Sequence, residues 1–529
     1  MDMLIKASLL FLFFAVMVVI GFACRRHARN VDGFVLGGRS VGPWLTAFAY
    51  GTSYFSAVVF VGYAGQFGWR YGISATWVGI GNALIGSLLA WAVLGRRTRI
   101  MTQHLDSATM PDFFAKRFGS PALKIMAAAI IFVFLIPYTA SLYNGLSRLF
   151  GMAFSIDYTW CVVLMSVLTA IYVIAGGYMA TAINDFIQGI IMLVGLVVVI
   201  WAVLESKGGL LVALDGLARI EGPSVLPGGS PTPGIFTSFL GPEPLNLLFV
   251  VILTSLGTWG LPQMVQKFYA IKNEGSIKKG TIISTLFAFV VAGGCYYLGG
   301  FGRLFSNVLN VTAKGVPADG FDAIIPKMLE GLPSMLIALV VVLVLSASMS
   351  TLSSLVITSS STFTIDFLNG TIVKKMDEKK QVLCIRSLIV VFIAISAGLA
   401  LVQYKSTSPI AFIAQMMGVS WGAMAGAFLA PFLYALYSKK VTAASCWACF
   451  ILAPAFTLVG VFCRDAMPAF LKSPINTGAL AMIGGLVIVP IVNLFSRKPQ
   501  KELVDGAFAC YEKTTVVQQA TALGAETIK

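Results

Sequence analysis

Thr254-Ser255-Leu256-Gly257-Thr258-Trp259-Gly260-Leu261-Pro262-Gln263 lies inside an apolar run, 245–268, long enough to cross a bilayer. Gly257 and Gly260 weaken regular helix, and Pro262 removes an amide donor. Within lipid, every carbonyl freed by such a break must find a partner, so irregular backbone is tolerated only where it lines a cavity or a site. A second stretch of the same character, Ala49-Tyr50-Gly51-Thr52-Ser53-Tyr54-Phe55-Ser56, interrupts the run 43–65. The two interruptions fall in the second and seventh apolar runs, five apart. Weakened helices at matching positions in two five-helix halves point to an inverted-repeat secondary transporter with its site at the breaks. Close helix packing through small residues is the plainer explanation for each glycine taken singly.

The composition supports a membrane setting. Of 529 residues, 58% are hydrophobic and 11% charged, where soluble domains carry about 25% charged residues; mean hydropathy is +0.87. Thirteen runs of spanning length are expected, at 4–23, 43–65, 73–94, 123–146, 158–174, 182–204, 245–268, 281–300, 332–362, 382–402, 410–436, 443–462 and 477–494. They are continuous rather than alternating, which excludes a β-barrel. The net charge of +15 is no nucleic-acid signal, because Lys and Arg cluster between the runs.

Those clusters set orientation. Asp2 opens the chain, no A-x-A cleavage site follows, and Arg25, Arg26 and Arg29 come directly after the first run, so a retained helix with its N-terminus outside is expected. Arg96, Arg97, Arg99, Lys116, Arg117, Lys267, Lys278, Lys279, Lys439 and Lys440 then count on the cytoplasmic side, as does the tail. The expected location is the cell membrane, multi-pass, with lipid as neighbour and no nucleic-acid partner. Eight cysteines are scattered without a disulfide framework, and Cys446 and Cys449 fall inside a span, where packing is the ordinary role.

The ninth run carries Ser346-Ala347-Ser348-Met349-Ser350-Thr351-Leu352-Ser353-Ser354. Helical periodicity puts Ala347, Ser350 and Ser354 on one stripe and Ser353 on the next. Hydroxyl oxygens grouped this way suit a hard cation such as Na+; two histidines in the whole chain make a transition-metal site a poor fit. Hydroxyls bonding back to their own helix would account for one or two of them. Asp185 follows Asn184 near the start of the sixth run. An intramembrane carboxylate defaults to function, while a helix N-cap is the structural alternative. No nucleophile–His–acid set is present, so no enzyme chemistry is indicated.

Phe34-Val35-Leu36-Gly37-Gly38-Arg39-Ser40-Val41-Gly42-Pro43, Gly176-Gly177, Asn184-Asp185-x-x-Gln188-Gly189, Gly260-Leu261-Pro262 and Met349-Ser350-Thr351-Leu352-Ser353 resemble, in order, the sodium/solute symporter family, closest to its bacterial proline and pantothenate branch. The resemblance spans nearly the whole chain. It implies an all-α integral membrane protein of about thirteen transmembrane helices with a leucine-transporter-type five-plus-five inverted repeat and broken core helices 1 and 6. The implied division is an extra helix and loop (1–41), a first repeat (42–205), an external Gly/Pro-rich loop (206–241), a second repeat (242–436), two added helices (437–496) and a cytoplasmic tail (497–529).

The same resemblance implies a first sodium site of Thr52, Phe55, Ala347, Ser350 and Thr351. It further implies a second, formed by Asp185, Ser353 and Ser354 with Ser350. Ser56, Tyr138, Thr258, Trp259 and Gln415 become solute-lining candidates. Where proline transporters carry an acidic residue in core helix 1 this chain has Tyr54, which weighs against proline. With no cation expected in the pocket, small zwitterions or monocarboxylates are favoured over polyanions. The expected activity is sodium-coupled import by alternating access with Na+ as the only cofactor; a channel or a solute sensor of the same fold is the rival.

Overall fold

The computed structural model describes residues 2–154, 156–222, 231–312, 315–373, 376–404 and 413–522. The Pro-rich centre of the long loop, 223–230, and the side chain of Tyr54 lie outside the described residues. Those described are helical, with isolated bridges and no ladder among them. Ten helices are long and apolar enough to cross a membrane, or eleven if one bent pair counts as a span.

Helix α1 is Asp2–Ala23. Helix α2, Pro43–Tyr54, starts on a proline at its first turn, where the missing amide costs nothing. It stops before Phe55, whose backbone is extended at φ −89°, ψ 119°. The chain turns helical again through π-helical Val58–Tyr63 into α3, Ala64–Tyr71. Helix α4 begins as Thr76–Gly81, runs through π turns Asn82–Leu89 and Trp91–Gly95, and ends as Arg96–His104. Next come α5, Pro121–Phe154, and α6, Tyr158–Glu205. Within α6, Gly177 leaves helical geometry at φ 56°, ψ −151°, a region that a side chain resists.

Helix α7, Pro244–Gly260, and α8, Pro262–Ala270, meet at Leu261 with a 46° bend. Leu261 is extended (φ −81°, ψ 122°) because Pro262 disfavours helix in the residue before it. Then follow α9, Glu274–Gly300; α10, Ser334–Thr362; α11, Glu378–Tyr404; α12, Ile413–Tyr437; α13, Ala443–Phe462; α14, Pro474–Phe495; and α15, Lys501–Ala522.

Small residues bring the central helices into backbone contact, the usual device where lipid offers no hydrophobic drive between helices. A Cβ on Gly68 of α3 would lie 2.0 Å from the Gly299 carbonyl of α9, and one on Gly79 of α4 would lie 2.4 Å from Gly293 Cα. Helix α10 is buried without interruption from Leu343 to Thr362, so its row of hydroxyls faces protein, not lipid. The outer helices instead expose Phe11, Trp201, Phe462 and Leu494, the apolar belt a bilayer covers. Helix α15 of the tail is joined to the bundle where Tyr511 donates to the Arg97 carbonyl at 3.2 Å and Lys439 pairs with Asp505 at 2.9 Å.

Candidate ion and solute site

The α2 break and the α10 hydroxyl row meet in the centre of the bundle. The Ser350 hydroxyl lies 3.2 Å from the Thr52 carbonyl and 3.1 Å from that of Ala347. Thr351 Oγ1 lies 3.1 Å from the Thr52 carbonyl, 3.2 Å from that of Phe55 and 3.1 Å from that of Ala347. Three carbonyls and two hydroxyls, all fully buried, thus converge from two helices. The Thr52 hydroxyl is also buried and without a partner. Each hydroxyl can turn its proton aside and offer a lone pair, so the cluster fits a small hard cation bound through neutral oxygens.

Asp185 is the expected core of the second site. It is fully buried, two turns past the Gly177 break and so well inside α6, which removes the N-cap alternative. Neither carboxylate oxygen has a hydrogen-bond partner, and neither does the amide of Asn184 beside it. Ser353 donates to the Ser350 carbonyl at 2.9 Å, a bond within its own helix. Ser354 is engaged outside its helix, 2.7 Å from Ser53 Oγ and 3.0 Å from the ammonium of Lys267.

Lys267 is the residue that the sequence reading placed wrongly. Counted as a cytoplasmic loop charge, it is 2% exposed within α8. Its ammonium lies 5.0 Å from the Tyr178 ring centre and within the electrostatic reach of Asp185, though no ion pair closer than 4.0 Å forms. A cation therefore stands in the protein core, against Ser354 and Tyr178.

The solute candidates divide. Tyr138 and Ser56 are fully buried with hydroxyls that complete no hydrogen bond, and the Tyr138 ring meets Trp421 edge-on at 5.9 Å. Trp421 in turn abuts Gly257 in α7, where a Cβ would come within 2.7 Å of its ring. Thr258 and Trp259 spend their donors on the π-helical part of α4, at the carbonyls of Gly86 and Ile85, both at 2.9 Å. Gln415 stands apart: it lines an outer cavity of about 350 Å³ with Arg464, Asp465 and Lys472. Gln263, missed in the sequence, is 1% exposed with both amide atoms unpartnered, one residue beyond Pro262. Its signal was its place on the C-terminal side of a helix break.

A separate charged cluster ties the helix ends together. Lys124 reaches Asp112 at 3.2 Å and the buried Asp366 at 3.3 Å, and Thr109 donates to Asp366 at 2.6 Å.

The model of the Sodium:solute symporter family matches residues 34–452. The osmoregulated proline transporter OpuE of Bacillus subtilis (strain 168) is 27% identical over 493 residues, 93% of this chain and 94% of that protein. A sodium/proline symporter of Staphylococcus aureus is 28% identical over 450 residues, 82% of this chain and 81% of its own. Among solved structures, a Na+-coupled sialic acid symporter in a substrate-bound outward-open state, described as revealing a novel Na+ site, superposes with a TM-score of 0.72 at 16% identity. That match covers 94% of this chain and 99% of the other.

Proposed function

This chain belongs to the sodium:solute symporter family, and from that premise we propose that it imports a small zwitterionic or monocarboxylate solute by alternating access, coupled to Na+ bound where α2 breaks. It is a sodium-coupled solute symporter, a multi-pass membrane transporter and not an enzyme. The observation that carries the rest is the oxygen cluster of Thr52, Phe55, Ala347, Ser350 and Thr351. Two ordinary helices packed together would not leave the carbonyls of Thr52 and Phe55 facing two hydroxyls of another helix in a dry interior. Each Na+ moved inward gains about 2.3 kcal/mol per 100 mV of membrane potential, so one bound ion already drives solute against a gradient.

Thirteen spans in two inverted five-helix repeats, 42–205 and 242–436, remain the preferred reading of the topology. At 48 residues α6 would extend roughly 72 Å as straight helix, more than twice the hydrocarbon core of about 30 Å, and it bends at Gly177. The 47-residue segment Val58–His104 is likewise too long for one crossing and passes Gly72 at φ 63°. Dividing both, and counting α7 with α8 as one broken span, gives thirteen. The extra helix in 1–41, the external loop 206–241, the added helices in 437–496 and the tail in 497–529 complete the proposed layout. The N-terminus outside, the C-terminus inside and lipid around the apolar belt follow from the basic clusters.

For the solute we favour an amino acid, with proline, named for the two relatives, as the first to try although Tyr54 weighs against it, or a pantothenate-like acid. The solute-facing candidates are Ser56 just past the α2 break, Thr258, Trp259 and Gln263 around the α7–α8 break, and the buried Tyr138 of α5. The test is the melting temperature of purified protein with proline, other amino acids, pantothenate and short carboxylates, in NaCl and in KCl. A ligand that binds only the folded protein raises it by mass action. Stabilisation that requires Na+ and one solute class together is expected; stabilisation equal in K+ refutes coupling at this site.

A further inference from the structure

We propose that the Lys267 ammonium is a tethered cation that takes the place of a second Na+ beside Asp185, so that each transport cycle carries the one Na+ of the Ser350–Thr351 cluster. This deepens the function proposed above and rests on it. Asp185 and Lys267 are both buried, and Lys267 lies against the Tyr178 ring, which stands two turns before Asp185 on the same face of α6. One oxygen that a second Na+ would need is already engaged by the lysine: Ser354 accepts from its Nζ at 3.0 Å and is itself 2.7 Å from Ser53. The Tyr178 ring, 5.0 Å away, supplies a further face suited to an ammonium.

Charge balance gives the reason. One carboxylate and one ammonium in a dry interior sum to zero. A Na+ added to them leaves a whole positive charge uncompensated where the dielectric is low. Remove the ammonium and the situation inverts: Asp185, whose oxygens are unpartnered, keeps an uncompensated negative charge, and the Ser354 hydroxyl, with that of Ser53 beside it, is released from the lysine, oxygens of the kind that suit Na+. The side chain of Lys267 therefore decides whether this pocket is filled by the protein or by the solution.

The experiment is radioactive-sodium binding to the purified full-length protein, read as ions per chain and as the Hill coefficient, without any solute. Wild type is expected to bind one Na+ with a Hill coefficient of 1. Lys267→Met is expected to bind two, with a coefficient rising toward 2, and Lys267→Arg one, because the tethered charge is kept. The double variant Lys267→Met/Asp185→Asn carries neither charge and returns to one, which also guards against the single variant failing to fold. Two ions bound by wild type, or one bound by a folded Lys267→Met with unchanged affinity, overturns the proposal. If wild type binds none while Lys267→Met binds one that Asp185→Asn abolishes, the tethered cation stands and the first sodium site falls. Binding by none of these proteins sinks both.

Discussion

Replacing Thr351 by Val tests the sodium site with the least change of shape. Valine has nearly the volume of threonine, and the position is fully buried, so packing is kept while one oxygen is deleted. That oxygen lies 3.1–3.2 Å from the Thr52, Phe55 and Ala347 carbonyls, which puts it at the centre of the proposed site. A polar contact to a charged group contributes about 1.5–3 kcal/mol, and each 1.4 kcal/mol is tenfold in affinity. The half-saturating Na+ concentration should therefore rise about 10- to 150-fold, read from the Na+-dependent increase in melting temperature of purified protein in NaCl against KCl. Ser348→Ala is the matched control. Its hydroxyl is equally buried in α10 but bonds back to the Val344 carbonyl at 2.8 Å, so deleting it should leave Na+ affinity within about twofold. Unchanged Na+ dependence in folded Thr351→Val, or an equal loss in Ser348→Ala, would refute the assignment.

Two further substitutions probe what holds the site together. Gly68→Ala drives a methyl to within 2.0 Å of the Gly299 backbone; overpacking of this kind costs about 1–3 kcal/mol, so the melting temperature should fall, whereas Gly484→Ala, with nothing within 4 Å of the added carbon, should be neutral or stabilising. Lys124→Met strands the buried Asp366 with Thr109 alone. Breaking a buried pair costs roughly 3–5 kcal/mol; the lower end is expected because Lys124 remains 22% exposed, and Asp366→Asn added in the same chain should recover much of it. A Lys124→Met protein as stable as wild type would show that the cluster does not fasten these helix ends.

What the sequence could reveal depended on whether the governing physics was local. The α7–α8 break was readable because Pro262 constrains its own neighbour wherever it stands. The hydroxyl stripe of α10 was readable because helical periodicity alone puts Ser350 and Ser354 on one face. Pairing Ser350 and Thr351 with the carbonyls of Thr52 and Phe55 required the resemblance to known symporters, since nothing in α2 or α10 alone says that they touch. Gln415 misled for the converse reason. Its helix crosses α13 and α14 so that this side chain opens on the outer cavity, and a crossing angle is not written in any one helix.

Lys267 shows where counting by position fails. The positive-inside rule treats a lysine at the end of an apolar run as solvated, and a linear count has no means of asking whether the last turn is covered. Here every residue of α8 from Pro262 to Ala270 is buried, so the run does not end in water where its hydropathy falls. A lysine is retained at such a place only if something answers its charge. The one unsatisfied carboxylate of α6, Asp185, answers it from a distant part of the sequence. Each of these charges alone reads as an ordinary feature, one as a topology signal and the other as a helix cap. The proposed cation pocket depends on a placement that neither local sequence shows, Lys267 lying against the Tyr178 face of the helix that carries Asp185, and that is why the proposed sodium count is tested at Lys267 and not at the serines alone.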